Sequence, residues 1–217
     1  MIKENIKSIL DEISDYDAKL IAVSKTRTIE EILEAYESGI RDFGENHVQE
    51  LVKKRELLPK DIRWHMIGHL QTNKVKDLLK DSIYLIHSVD SIKLAKEINK
   101  RSSIKQDILL EVNIGEEESK YGFKPSFDEL KKVLDEIKDL NNINVVGLMC
   151  VAPNTDKPID NKKYFDKLRI LNEKLGLKVL SMGMSNDYDV AIKCGSTYIR
   201  VGTKIFGKRE YKKKINN

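Results

Sequence analysis

At 217 residues, with 40% hydrophobic and 34% charged side chains, the chain is long enough for a sizeable core under a well-solvated surface. No apolar run nears the ~20 residues that cross a bilayer, and the opening MIKENIKSILDEI has helical amphipathicity without the apolar stretch of a signal peptide. The net charge of +4 is concentrated in the terminal KREYKKKINN, with no basic stripe and interleaved aromatics elsewhere, which argues against nucleic-acid binding.

In chain order, a first helix over about residues 2 to 16 precedes a regular alternation of strand-like and helix-like stretches. The strand candidates are Leu20–Ser24, Asp42–Gly44, Trp64–Ile67, Tyr84–His87, Ile108–Val112, Val145–Val151, Val179–Met182 and Tyr198–Val201. Helices fill the gaps. Thr28 with Glu31 and Ser126 with Glu129 have capping-box spacing, Asp90 or Ser91 can cap a third helix, and Gly39 and Gly176 mark helix ends. Cys150 and Cys194 stand far apart in apolar segments, which suits buried thiols in a reducing, cytoplasmic setting.

About eight strands, each followed by a helix except the last, predict parallel pairing through crossovers. A closed (β/α)8 TIM barrel and an open doubly wound sheet both fit. The count of eight favours the barrel, and SKTRT after the first strand lacks the glycines of a dinucleotide fingerprint. The predicted organisation is one barrel domain over residues 1–208, with an extra N-terminal helix and a basic C-terminal tail at 209–217.

Barrels build their sites at the C-terminal ends of the strands, often with a phosphate site after strands seven and eight. The first such end carries Lys25, of the same parity as Ile21 and Val23, so a primary amine lies at the end of a buried strand. After strands seven and eight, Gly183 and Gly202 would let backbone approach a ligand, Ser185 and Thr203 add hydroxyls, and a short helix from about Asn186 to Cys194 adds its positive end. Arg200 stands between apolar neighbours inside a strand and needs an acceptor there, with Glu111 the alternative as a structural ion-pair partner. A ligand with an aldehyde, a phosphate and a ring acceptor would use all three features, and pyridoxal 5′-phosphate (PLP) has those groups. An unperturbed lysine is neutral only about 0.04% of the time at pH 7, so burial and a nearby cation would suit the amine to Schiff-base chemistry. His65 and His69 lie on a strand and its following turn, without dependable metal-ligand geometry, and His47 and His87 read as polar residues at strand ends.

At these residues the chain closely resembles the YggS/PROSC family of pyridoxal phosphate homeostasis proteins. The matching segments are AVSKT (Ala22–Thr26), FGEN (Phe43–Asn46), VQE (Val48–Glu50), WHMIGHLQTNK (Trp64–Lys74), GLM (Gly147–Met149), SMGMSND (Ser181–Asp187) and IRVGTKIFG (Ile199–Gly207). The resemblance implies a barrel like the N-terminal domain of alanine racemase, with PLP on Lys25 as an internal aldimine. It further implies that Ser185, Gly202 and Thr203 hold the phosphate, that Arg200 faces the pyridine nitrogen, and that Asn46 lies beside the cofactor. Where the family commonly has an aromatic residue after FGEN, this chain has His47.

An arginine cannot protonate the pyridine nitrogen, which leaves the ring a poor electron sink and disfavours transamination. Racemases that resemble this barrel use a second domain and a partner tyrosine, whereas ten residues follow Gly207 here. The expected function is therefore an intracellular carrier or buffer of PLP (vitamin B6), without a catalytic residue or metal. A weak PLP-dependent amino-acid racemase is the alternative. PLP-dependent apoenzymes are the partners this role suggests, and a monomer is the expected state.

Overall fold

The structure, a computed structural model, describes residues 1–208, so the sequence-predicted basic tail at 209–217 lies outside the described residues. Eight strands form it: β1 (Lys19–Val23), β2 (Asp42–Glu45), β3 (Arg63–Met66), β4 (Leu85–Val89), β5 (Gln106–Glu111), β6 (Ile143–Met149), β7 (Val179–Met184) and β8 (Tyr198–Val201). Each pairs in parallel with the next, and β8 returns to β1 through Lys19↔Tyr198 and Ala22↔Val201. That last pairing decides for the closed ring over the open sheet.

The helices are α1 (Ile2–Ile13), α2 (Ile29–Glu37), α3 (Val48–Leu57), α4 (Val75–Leu78), α5 (Ile92–Arg101), α6 (Phe127–Ile137), α7 (Lys162–Lys174), α8 (Tyr188–Lys193) and α9 (Thr203–Phe206). Thr28 makes the capping box that its spacing predicts, whereas Ser126 stands at the N-cap of α6 without a side-chain bond. Ser91 caps α5 by accepting from the Leu94 amide. Contrary to expectation, a helix does follow β8, although α9 has only four residues. The ring is completed there by α1, which stops at Ile13 and packs against α2, α8 and α9. Its buried face is Ile2, Ile6, Ile9 and Ile13, at about 1.5–3 kcal/mol per fully buried side chain. The Tyr188 hydroxyl bonds both Glu12 and Lys204, and Asn5 Nδ2 donates to the Ile205 carbonyl (2.9 Å), tying α1 to α8 and α9.

Strands covered on both faces divide their side chains by parity. Leu20, Ala22, Phe43, Trp64 and Met66 belong to the large layer between sheet and helices. Ile21, Leu85, Leu109, Met149 and Tyr198 form a smaller cluster inside the barrel. The interior also buries His65, His87, Ser181 and Arg200. Gly44 keeps this interior closed at β2, because a Cβ there would lie 2.9 Å from Ile21 and 2.8 Å from Ile67.

Candidate functional site

At the C-terminal ends of the strands lies a cavity of about 540 Å³. Lys25, Asn46, Ser185, Arg200, Gly202 and Thr203, the six residues singled out in the sequence, all line it. Closure of the ring brings them together: Asn46 follows β2, Ser185 follows β7, and Ala22 pairs with Val201 so that β1 and β8 deliver their next residues to the same mouth.

Lys25 is half-buried in a turn just past β1, after the buried Ser24. Thr26 beside it has φ +65°, a conformation that costs energy for a β-branched residue and persists only when its surroundings hold it. They do so on both sides of Lys25. The Thr26 amide donates to Glu50 Oε1 (2.6 Å), and Lys54 Nζ donates to the Ser24 carbonyl (2.6 Å), Glu45 Oε1 (2.7 Å) and Glu50 Oε1 (2.6 Å). Ser24 Oγ also donates to Glu45 Oε1 (2.6 Å). Glu45 is fully buried and its second oxygen, Oε2, has no hydrogen-bond partner. Burial therefore raises its pKa, against the opposing pull of Lys54. Sequence reasoning missed this clamp; the i,i+4 spacing of Glu50 and Lys54 was the available signal.

The opposite wall is made of turns. Ser185 Oγ accepts from the Gly202 amide at 3.2 Å. The buried Asp187 carboxylate accepts from the Met184 amide (2.7 Å) and from Asn161 Nδ2 (2.8 Å), pinning the loop after β7. The sequence reading assigned the anion field to a helix from Asn186 to Cys194. In the structure α8 spans only Tyr188–Lys193, with the Asp187 carboxylate at its N-cap, which disfavours an anion there. The amide on the cavity side is that of Thr203, which opens α9, where the first turn of a helix has no intrahelical acceptor. Gly183 also has a different cause from the one expected. Its φ is +91° and a Cβ would lie 2.5 Å from Ala191, so it admits α8 rather than a ligand.

Arg200, 4% exposed, reaches the cavity from β8. Its Nη1 donates to Ser181 Oγ (2.5 Å) and its Nη2 to the Cys150 carbonyl (2.8 Å). The Glu111 ion pair considered as an alternative does not form among the described residues, and Arg200 bonds Ser181 and Cys150 instead. Burial lowers the Arg200 pKa, with Cys150, Glu111 and Asp187 acting against it. Burial and the neighbouring Asp90 push Glu111 up to about 7, with Arg200 opposing.

The histidines divide by position. His47 is exposed after β2, while His87, expected at a strand end, is fully buried inside the barrel. His65 is also interior, whereas His69 stacks on Tyr121 (ring centroids 3.8 Å apart) and bonds Asp90. No cluster of His, Cys, Asp and Glu able to hold a metal occurs among the described residues. Nor is any helix of the described residues long and apolar enough to cross a membrane.

Comparison with known proteins places relatives around this geometry. The family described as "Alanine racemase, N-terminal domain" matches residues 1–210. A pyridoxal phosphate homeostasis protein of Aquifex aeolicus is 47% identical over 204 residues, covering 89% of this chain and 88% of the relative. PipY of Synechococcus elongatus, solved with PLP bound, superimposes with a TM-score of 0.86 at 33% identity, covering 95% of this chain and all of PipY. The alanine racemase of Corynebacterium glutamicum shares the fold at 16% identity, with a TM-score of 0.78 over 96% of this chain and 61% of the racemase.

Proposed function

The chain belongs to the pyridoxal phosphate homeostasis proteins of the alanine racemase N-terminal-domain family, and from that premise we propose that it binds PLP in the cavity at the barrel's C-terminal face and serves as its intracellular carrier or buffer. One observation carries this reading: an amine, a buried guanidinium and the amide end of a helix converge on one cavity. PLP supplies an aldehyde that a primary amine can condense with, releasing water, together with a phosphate and a pyridine nitrogen that accepts a hydrogen bond. Lys25 is the amine, with Ser24 and Thr26 holding its turn. Ser185, Gly202 and Thr203 hold the phosphate, where the opening amide of α9 adds a donor. Arg200 donates to the ring nitrogen, and Asn46 borders the ring.

Little or no turnover is expected. Arg200 has no proton to yield to the ring nitrogen, so electron withdrawal by the ring stays weak. The described residues lining the cavity include neither tyrosine nor histidine. The Tyr188 phenol is engaged by Glu12 and Lys204, and Tyr198 belongs to the barrel interior. The other ionisable side chains on the cavity wall are engaged, Lys120 by Glu117 and Asp187 by the Met184 amide and Asn161.

Borohydride reduction followed by peptide mass mapping tests cofactor, covalency and position together. Trapped cofactor is expected on Lys25 and absent in Lys25→Ala, which keeps some phosphate-held PLP. Full trapping in that variant would overturn the assignment. Incubating the loaded protein with single-enantiomer amino acids in deuterated water is expected to give negligible exchange at Cα. Rapid exchange with racemisation would replace the carrier reading with an enzymatic one.

A further inference from the structure

A continuous string of buried hydrogen bonds runs through the barrel and ends on Arg200. At the far end, Asp42 opens β2, where Arg63 donates to both of its carboxylate oxygens (2.8 and 2.5 Å). Asp42 Oδ1 meets His65 Nε2 at 2.9 Å, and His65 Nδ1 meets His87 Nε2 at 2.9 Å. His87 Nδ1 then meets Ser181 Oγ at 2.8 Å, and Ser181 Oγ receives Arg200 Nη1 at 2.5 Å. His65, His87 and Ser181 are each 0% exposed.

Chemistry at the two ends fixes the direction of every link. Asp42, whose pKa is held at about 2, is an ionised acceptor, and Arg200 can only donate. Burial lowers the pKa of both imidazoles, so each is neutral and carries one N–H. His65 must then donate from Nε2 to Asp42 and accept at Nδ1. His87 must donate from Nε2 and accept at Nδ1 from the Ser181 hydroxyl, whose oxygen accepts from Arg200. The remaining charged or titratable groups facing the two rings are Lys19, Arg63, Tyr84 and Tyr198, and none supplies a competing acceptor bond in the string.

We propose that Asp42, His65, His87 and Ser181 are positioning residues for the cofactor site, a one-way string that relays the charge of a carboxylate at one end of the barrel to the arginine at the other. The string couples Arg200 to a carboxylate that lies outside the cavity lining. Aligned hydrogen bonds polarise one another, by about 10–30% per bond. Each acceptor is thereby strengthened in turn, and the guanidinium stays cationic, with Nη1 turned back into the barrel and its plane set for the ring nitrogen. The role rests on the PLP reading above; the string itself does not.

Histidine-labelled protein without cofactor provides the first test. Two-bond ¹H–¹⁵N correlation should show both His65 and His87 as the Nε2–H tautomer, unchanged from pH 5 to 8. An Nδ1–H tautomer at either ring, or titration of either near 6.5, would overturn the string. The second test uses bound ¹⁵N-labelled PLP. Asp42→Asn is expected to move the pyridine ¹⁵N resonance and weaken PLP binding by about tenfold, the scale of one charge-assisted hydrogen bond. Arg63→Gln also breaks the Asp42 ion pair but leaves the string intact, and should leave the resonance unmoved and the affinity within about twofold. Equal responses from the two variants, or no shift in Asp42→Asn, would reduce the string to a purely structural role. Should Asp42→Asn fail to fold, Ser181→Ala cuts the other end without a change of charge, and should give the same shift; an unmoved resonance there would overturn the proposal. If the unsubstituted chain does not bind PLP, the cofactor reading and the positioning role both fall, while the tautomers still report on the string.

Discussion

The turn that carries Lys25 and the turns that carry Ser185 and Gly202 face one another across a single cavity, yet they are held by different means. Around Lys25, one buried ammonium joins two carboxylates and a carbonyl, fixing the residues on both sides of the lysine. Across the cavity the buried Asp187 carboxylate pins the loop after β7, but the Gly202 amide itself meets only a hydroxyl, and Thr203 remains exposed to solvent. Buried charge is costly to disturb because every member depends on the others. Neutral turn bonds are worth about 1 kcal/mol each and exchange partners easily. On the proposed reading, a fixed amine for the aldehyde would stand opposite a phosphate end that can open.

The strongest way to break this contrast is Lys54→Met. The substitution leaves Glu45 buried without its cation and frees the Ser24 carbonyl, so a loss of about 3–5 kcal/mol is expected in denaturant unfolding at neutral pH. Burial already raises the Glu45 pKa, and losing Lys54 raises it further. The loss should therefore shrink as pH falls and the carboxyl takes up its proton. A pH-independent loss under 1 kcal/mol would mean that the clamp is ordinary surface charge.

Glu111→Gln probes the carboxyl that acts on Arg200. A carboxyl raised to about 7 from 4.5 favours the fold below pH 4.5 and withdraws that contribution as pH rises through 7. The glutamine variant should thus be the more stable protein at pH 8, by up to about 3 kcal/mol, with the gap closing near pH 5. Chemical denaturation at the two pH values checks both the sign and the window.

The unequal construction also explains which parts could be read from the chain. Strand parity placed Ile21 and Val23 inward and led to Lys25, and glycine and hydroxyl residues after the last two strands marked the facing wall. These are signals carried by residues near one another in sequence. The clamp was hidden because Lys54 reaches Ser24 across 30 residues, and no local pattern specifies that approach. His87 looked like a strand-end residue for the same reason. Its partners are His65 and Ser181, 22 and 94 residues away, and only closure of the sheet brings them within bonding distance. The Thr28 and Ser126 boxes have identical spacing and different outcomes, so spacing permits a cap without choosing the rotamer that makes it.

The smallest effect on stability is expected from Ser185→Ala, and it sharpens the comparison most finely. The Ser185 oxygen accepts from the Gly202 amide, which leaves its own proton available to donate into the cavity. Alanine removes that donor but releases the Gly202 N–H, which can then turn to the phosphate itself. The two changes oppose each other, so unfolding should shift by no more than about 1 kcal/mol and PLP affinity by less than about fivefold. Ser185→Asp has no such compensation: a carboxylate would face the phosphate, and binding should fall by well over tenfold, an effect that added salt relieves in part. Equal affinities for the alanine and aspartate variants would place the phosphate away from Ser185 and leave the opening amide of α9 as its anchor.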